Sequence, residues 1–311
     1  MRIGNLLEKA AASGRPLLLD AAMGTELARR GADTSPPLWS ARALLRAPEI
    51  VAAIHAGNVA AGADVLTANS FRLHARNLER EPAGFLFDGG TERSVRELVR
   101  RAVSLAREAA RTAGASVRVA GSLAPLEDCY RPDLVPDEDA LAREHREMAG
   151  ALAGAGCDLI LVETMNTVRE LLAATKAALA TGLPVVASMV TDGEGRLLSG
   201  ESLREAARAL LSLSPAPAAI GVNCVPARAI GGDLARLRAM APAFPLCVYA
   251  NTGRALDEAA GLFTDPVTPE EYARLAGGWL AGGRIALLGS CCGTTAAHTA
   301  ALRVLLDGQG K

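Results

Sequence analysis

The sequence is poor in aromatic side chains. Five Phe, three Tyr and two Trp are the only aromatic residues in a chain of 311. Because single-stranded nucleic acids bind on platforms of stacked aromatic side chains, this scarcity disfavours that class of protein. Charge offers no substitute, since 33 basic and 34 acidic side chains leave a net charge of −1. We therefore expect no binding to nucleic acid or to an acidic membrane surface.

Long apolar runs are also missing. No segment approaches the roughly 20 consecutive apolar residues of a membrane span, and the first residues, which include Glu8, do not resemble a signal peptide. The six cysteines are too few for a dense disulfide framework. Cys291 and Cys292 are adjacent, which is a poor arrangement for a bond between them. These features predict a cytoplasmic protein, in which clustered cysteines indicate metal binding or catalysis.

The sequence does contain a regular series of short apolar runs without clean alternation, as expected for strands that are buried on both faces of a parallel sheet. The eight predicted strands are Leu17–Met23, Val65–Phe71, Val117–Ala124, Leu159–Met165, Pro184–Val190, Ala219–Cys224, Leu246–Asn251 and Ile285–Ser290.

Segments with helical periodicity separate these runs. The predicted helical segments are Ala41–Ala61, Val95–Ala113, Leu141–Ala153, Val168–Leu179, Leu203–Leu213 and Tyr272–Leu280. Within the first of them, Pro48-Glu49 indicates the start of a helix. The length alone would allow two domains, but no Pro- or Ser-rich linker divides the chain. We predict one (β/α)8 TIM barrel over residues 1–311, with its active site at the C-terminal ends of the strands. A doubly wound open sheet is the alternative, although no G-x-G-x-x-G follows the first strand.

Polar residues gather at the ends of the predicted strands. They are Asp20, Asn69, Ser70, Ser122, Glu163, Thr164, Asn223, Cys224, Tyr249, Asn251, Cys291 and Cys292. In a barrel these ends meet on one face, so the side chains would line one cavity. The alternative is that polar residues simply occur wherever a strand runs into a loop.

Three of the cysteines have the layout of a metal site. Cys224 follows the sixth predicted strand, and Cys291 and Cys292 follow the eighth. A catalytic zinc commonly has three protein ligands and one open position, and thiolates select a soft metal. The alternative is that buried cysteine acts as a small apolar residue. We expect that role for Cys157 and Cys247.

Two carboxylates form a second signal. Asp20 and Glu163 stand in otherwise apolar strands, where an unpaired charge is costly. A bound ammonium group would compensate both, so the pattern favours an amino-acid substrate. A structural network with a neighbouring arginine is the alternative.

Several motifs, taken in order, resemble those of the homocysteine S-methyltransferase family. They are LLLDAAMGTELARRG, PPLWSARALLRAPEIVAAIHAGNVAAGADVLTANSF, GSLAP, GCDLILVET, GVNC, YANTG and GSCCGTTAAH, and they span nearly the whole chain. The resemblance implies a (β/α)8 barrel that transfers a methyl group to the thiol of homocysteine. It also implies catalytic Zn²⁺ on Cys224, Cys291 and Cys292, which would turn the bound thiol into the thiolate nucleophile.

The resemblance assigns substrate contacts as well. It implies that Asp20 and Glu163 bind the amino group of homocysteine. The backbone at Met23, Gly24 and Thr25 would bind the carboxylate, and Asn223 is a further substrate-binding candidate.

Two departures from the family pattern affect this pocket. Asp20-Ala21-Ala22 replaces Asp-Gly-Gly or Asp-Gly-Ala, and Ser290 replaces the second glycine of Gly-Gly-Cys-Cys. Since alanine disfavours positive φ, the first change predicts altered amide geometry around the substrate carboxylate.

The methyl donor is less well defined. A sulfonium or quaternary ammonium donor is a cation, and aromatic faces attract cations. The candidates for the donor site are Trp39, Tyr130, Tyr249 and Asn251. S-methylmethionine or S-adenosylmethionine is the favoured donor and betaine the second choice. The length disfavours built-in folate and corrinoid domains, although work beside separate folate or corrinoid subunits, or with selenocysteine as acceptor, stays open.

Other barrel proteins are weaker matches. A zinc hydrolase favours His and carboxylate ligands, yet the chain has four His and none ends a predicted strand. A phosphate-sugar enzyme would want a glycine-rich loop after strand seven or eight, whereas Gly282-Gly283 precedes strand eight. A non-catalytic zinc- or thiol-binding barrel is the remaining alternative.

Overall fold

A closed ring of parallel strands forms the centre of the molecule. The computed structural model describes residues 3–81, 85–114, 116–257 and 262–308. The strands of the ring are β1 (Leu17–Leu18), β2 (Val65–Ala68), β3 (Arg118–Leu123), β4 (Leu159–Met165), β5 (Val185–Met189), β6 (Ala219–Pro226), β7 (Leu246–Asn251) and β10 (Ile285–Ser290). Their order is β1-β10-β7-β6-β5-β4-β3-β2, and a parallel bridge between Leu19 and Val65 closes the ring. The (β/α)8 prediction is confirmed.

Helices cover the outside of the ring. They are α1 (Ile3–Ser13), α2 (Gly24–Arg29), α3 (Ala43–Arg46), α4 (Pro48–Ala60), α5 (Ala75–Glu79), α6 (Gly90–Thr112), α7 (Glu138–Gly154), α8 (Val168–Leu179), α9 (Leu203–Leu211), α10 (Ile230–Met240), α11 (Pro269–Ala281) and α12 (Ala296–Gly308). Short 3₁₀ helices cover Trp39–Arg42 and Pro132–Leu134. In the described part of the chain, no helix is long and apolar enough to cross a membrane.

The helical stretch predicted over Ala41–Ala61 is divided in two, and the predicted helix start at Pro48-Glu49 is confirmed. Ala47 has φ −150° and ψ 50°, which separates α3 from α4. The residue before a proline avoids the helical region because the proline ring crowds it, and Pro48 follows here. Pro48 then begins α4, where its missing N–H costs nothing.

The interior of the barrel is open at one end only. Ile3, Leu7 and Ala11 of α1 join the apolar cluster inside the ring, together with Leu159 and Ala219 at the N-terminal ends of β4 and β6. This helix therefore plugs the N-terminal end of the barrel. The polar strand ends face the opposite side.

A small hairpin lies beside that open end. Strands β8 (Arg254–Asp257) and β9 (Leu262–Thr264) pair antiparallel, between β7 and α11. Neither this hairpin nor helices α1 and α10 were predicted from the sequence.

Candidate functional site

The polar strand ends do surround a cavity. Its volume is about 250 Å³, and its lining is drawn from loops after most of the strands. The predicted residues in the lining are Asp20, Met23, Gly24, Trp39, Tyr130, Glu163, Cys224, Tyr249, Cys291 and Cys292. Three other predicted residues, Thr25, Asn223 and Asn251, are buried behind it.

The three predicted cysteine ligands meet in this cavity. Their Sγ atoms lie within 4.8 Å of one another. The distances are 3.1 Å between Cys224 and Cys291, 3.8 Å between Cys224 and Cys292, and 3.9 Å between Cys291 and Cys292. A tetrahedral zinc with bonds of about 2.3 Å needs sulfurs about 3.8 Å apart. The three sulfurs fit a zinc ion once the shortest distance, between Cys224 and Cys291, widens slightly.

The three thiols also form hydrogen bonds with one another. Hydrogen bonds with Cys224 and Cys292 lower the pKa of Cys291 to about 6. Donation of those bonds raises the pKa of Cys224 and Cys292 above the ordinary range. The cluster thus holds one thiolate more readily than an isolated cysteine would, which is the form that binds a metal.

Backbone strain is concentrated around this cavity. Cys224 has φ 56°, Thr164 has φ 60° and Trp39 has φ 49°, and all three residues line the cavity. A positive φ is costly for a residue that carries a Cβ and persists only where the surroundings hold it. The left-handed conformation of Cys224 ends the regular pairing of β6 with β7, whose register shifts between Asn223 and Pro226.

Asn223 and Asn251 hold the strained backbone in place. The Asn223 amide accepts from the Thr164 N–H at 3.0 Å and donates to the Thr164 hydroxyl at 2.8 Å. Asn251 donates to the Cys224 carbonyl at 3.1 Å and accepts from the Cys292 N–H at 3.0 Å. One amide therefore connects the two chain segments that carry the cysteines. Both asparagines therefore form hydrogen bonds with the protein backbone. The sequence had indicated a contact with the substrate for Asn223 and with the methyl donor for Asn251.

Replacement of Asn251 by alanine is expected to weaken zinc binding about 10- to 100-fold, because groups that orient metal ligands have effects of that size. Competition with a chelator of known affinity measures the change. Asn77→Ala is the matched control, since Asn77 is also a buried asparagine that donates to a backbone carbonyl, that of Arg72. Equal zinc affinity in the Asn251 and Asn77 variants would show that the bridge does not position the ligands.

Asp20 is buried with its carboxylate directed at β2. Its Oδ2 accepts from the Thr67 N–H at 2.9 Å, and its Oδ1 accepts from the Thr67 hydroxyl at 2.8 Å. Burial raises the pKa of Asp20 to about 7 despite these bonds. A cationic partner in the cavity would reverse that shift.

Glu163 is the second buried carboxylate. Its Oε1 accepts a hydrogen bond from the Ser122 hydroxyl of β3. Burial raises its pKa to about 8. Among the described residues, neither Glu163 nor Asp20 forms an ion pair with a basic side chain, so the alternative of a structural arginine network is not supported.

The loop after β1 accommodates both alanines without positive φ. The Ala21 N–H donates to Asn58 Oδ1 at 3.1 Å, and the Ala22 N–H donates to Thr294 Oγ1 at 3.2 Å. The chain then enters α2 at Gly24, and the first amides of a helix lack partners within the helix. Thr25 accepts from the Gly293 N–H at 3.0 Å, which ties α2 to the cysteine loop.

Aromatic side chains form one wall of the cavity. Trp39 lies against Gly24, where an added Cβ would be 2.2 Å from Trp39 Cη2, so only glycine fits. The rings of Trp39 and Phe71 meet edge to face with centroids 5.7 Å apart. Tyr130 packs against the cysteine cluster. Phe71 also belongs to this wall. It ends the second predicted strand, but it was not among the residues predicted for the site.

Ser290 is buried, and its Oγ has no hydrogen-bond partner within the described structure. It lines the cavity beside Cys291. The substitution therefore adds a polar atom to the pocket and leaves the cysteines in place.

Comparison with known proteins gives one consistent result. Residues 17–306 match the family model for homocysteine S-methyltransferase. The chain is 33% identical to homocysteine S-methyltransferase of Escherichia coli K12 over 92% of this chain and 94% of that protein. It is 28% identical to selenocysteine methyltransferase of Astragalus bisulcatus over 91% of this chain and 90% of that protein. A crystal structure of the Escherichia coli homocysteine methyltransferase in its metallated form has a TM-score of 0.77 and 30% identity, covering 96% of this chain and 99% of that one.

Proposed function

Since this chain belongs to the homocysteine S-methyltransferase family, we propose that it transfers a methyl group from a sulfonium donor to homocysteine, with Zn²⁺ as its metal and residues 1–311 as one functional unit. The observation that supports this most strongly is the meeting of three thiols and two buried carboxylates in one cavity, where neither carboxylate has an ion-pair partner among the described residues. A non-catalytic zinc barrel would need the thiols but not the carboxylates.

Cys224, Cys291 and Cys292 would hold the zinc, which when bound lowers the pKa of a coordinated substrate thiol so that it reacts as thiolate. Asn251 keeps the two cysteine-bearing segments at a fixed separation through its two hydrogen bonds. The protein thus places the nucleophile without a general base of its own.

Asp20 and Glu163 would bind the ammonium group of homocysteine. Both are buried and line the cavity, burial raises the pKa of each, and among the described residues neither forms an ion pair with a basic side chain. The amides of Met23 and Gly24 at the start of α2 would bind the carboxylate. This arrangement fixes the amino-acid end of the substrate, so the thiol end is left to reach the cysteines.

The aromatic wall would hold the methyl donor. Trp39, Phe71 and Tyr130 all line the cavity, and a sulfonium cation is stabilised at the face of an aromatic ring. The same rings exclude water from the reacting sulfur. S-methylmethionine or S-adenosylmethionine is the proposed donor. Betaine as the donor would require the aromatic wall to bind a quaternary ammonium group instead. Methylfolate would require it to receive a methyl group carried by a separate corrinoid protein.

Zinc-loaded protein assayed with homocysteine and each donor in turn tests the proposal. We expect methionine, detected by mass spectrometry with a labelled methyl group, from S-methylmethionine or S-adenosylmethionine. Selenocysteine replaces homocysteine in a parallel assay. Stoichiometric zinc without product from any donor would support the non-catalytic alternative.

A further inference from the structure

A charged pair lies in the lining of the cavity, and the reaction described above leaves it unused. Arg72 follows β2, and Asp128 lies in the loop after β3. Arg72 Nη2 and Asp128 Oδ2 are 3.0 Å apart. The Arg72 side chain is 17% exposed and that of Asp128 is 40% exposed, so both lie between the buried cavity and solvent.

This ion pair contributes little to the stability of the fold. A single hydrogen bond joins the two side chains, although an arginine and a carboxylate can form two parallel ones. Partly exposed ion pairs of this kind contribute little to the stability of a protein. The pair does have a fixed position, because Asp128 Oδ1 accepts from the Tyr130 N–H at 2.8 Å and the Arg72 carbonyl accepts from Asn77.

The pair and the aromatic wall belong to the same two loops. Phe71 precedes Arg72 directly, and Tyr130 follows Asp128 by two residues. A ligand whose cationic centre lies against Phe71 and Tyr130 therefore places its other end within reach of a guanidinium and a carboxylate. An α-amino-acid end group carries the matching charges, a carboxylate and an ammonium.

We propose that Arg72 and Asp128 bind the α-carboxylate and the α-ammonium group of an amino-acid sulfonium donor. This inference rests on the proposed function and adds the two residues that would hold the amino-acid end of its donor. In the proposed function the ammonium group of homocysteine binds to Asp20 and Glu163. The amino-acid ends of homocysteine and the donor are then held apart, and their two sulfur atoms meet. During transfer the bond between the methyl carbon and the donor sulfur breaks, and its electron pair stays on that sulfur. The new bond forms to the homocysteine thiolate.

Donors that differ in one end group test the assignment. S-methylmethionine and S-adenosylmethionine both carry the carboxylate and an α-ammonium group with N–H donors. Betaine has the carboxylate, but its α-nitrogen is the methyl-bearing quaternary ammonium, which has no N–H to donate to Asp128. We expect Arg72→Gln to raise KM about 10- to 100-fold for every carboxylate-bearing donor that is turned over, as loss of a charged hydrogen bond does. Asp128→Asn is expected to raise KM for the two amino-acid donors and not for betaine. In both variants kcat should stay within about threefold.

Equilibrium binding supplies a readout that does not depend on turnover. Calorimetry of S-methylmethionine with zinc-loaded protein, in the absence of homocysteine, should show the same loss in both variants. Arg131→Gln is the matched control, because the Arg131–Asp133 pair lies on the same loop but is exposed and outside the cavity lining. Its donor affinity is expected to equal that of the wild type.

Two outcomes would overturn the inference. One is donor affinity in Arg72→Gln and Asp128→Asn equal to that of the control. The other is an equal loss of betaine and S-methylmethionine use in Asp128→Asn, which would mean that Asp128 only supports the loop. A wild type that binds S-methylmethionine, with the variants weakened, yet makes no methionine would contradict the proposed function and leave the donor site supported.

Discussion

Replacement of Cys224 by alanine is expected to weaken zinc binding more than a hundred-fold and to abolish methyl transfer while the barrel stays folded. Cys224 lies in β6 with its Sγ 3.1 Å from that of Cys291 and 3.8 Å from that of Cys292, so its loss leaves two sulfurs of the cluster, both from one loop. Structural zinc sites bind with about 10–16 kcal/mol in total. One ligand of four therefore accounts for about 3 kcal/mol, or more than a hundred-fold in affinity.

Metal content after dialysis and the circular dichroism of the same sample measure the two parts of this prediction. Alanine also relieves none of the backbone strain, because the positive φ of 56° at position 224 disfavours any side chain. We therefore expect a melting temperature of the metal-free variant close to that of the metal-free wild type.

Cys157→Ala is the matched control. Cys157 is buried near the N-terminal end of β4, and burial raises its pKa to about 12, which keeps it a neutral thiol. We expect full zinc content and full activity in that variant, with a modest loss of stability. Stoichiometric zinc in Cys224→Ala would show that Cys224 is not a ligand, whatever the activity.

The sequence predicted the barrel because the relevant signals are local. Strands β4, β7 and β10 have the predicted bounds, since each is a short apolar run that ends at a polar residue or a turn. The first strand is shorter than predicted, at Leu17–Leu18, because the chain turns away to direct Asp20 at Thr67. Helix α10 was missed because Gly231 and Gly232 weaken its pattern.

The cavity itself was predictable only in part. The convergence of strand ends in a barrel follows from the topology, and it brings the cysteines and both carboxylates together as expected. The roles of Asn223 and Asn251 did not follow, since a side chain at a strand end can turn toward the cavity or toward the next strand. The Arg72–Asp128 pair depends on two loops 56 residues apart, and no local pattern indicates it.

Replacement of Asp20 by asparagine is expected to weaken homocysteine binding about 10- to 100-fold, because an amide offers no charge to the ammonium group. Zinc content should not change, since Asp20 bonds to Thr67 and not to the cysteines. Calorimetric titration with homocysteine measures the affinity. Asp158→Asn is the control, because that carboxylate binds Arg107 and the Val119 N–H at the N-terminal end of the strands. Unchanged affinity in Asp20→Asn would remove Asp20 from the substrate site.

The same substitution should stabilise the substrate-free protein at high pH. The folded pKa of about 7 lies above the ordinary 3.8, so folding favours the protonated carboxyl. The contribution of Asp20 to stability is thus most favourable below pH 4 and falls as the pH rises to 7, by about 4 kcal/mol for this shift.

Asparagine keeps both contacts with Thr67, donating to the hydroxyl, and carries no charge to bury. In denaturant unfolding of metal-free protein, the variant should gain stability relative to the wild type between pH 4 and pH 8. A constant difference over that range would contradict the buried charge. We therefore expect Asp20 to destabilise the substrate-free protein, because its buried carboxylate serves to bind the substrate cation.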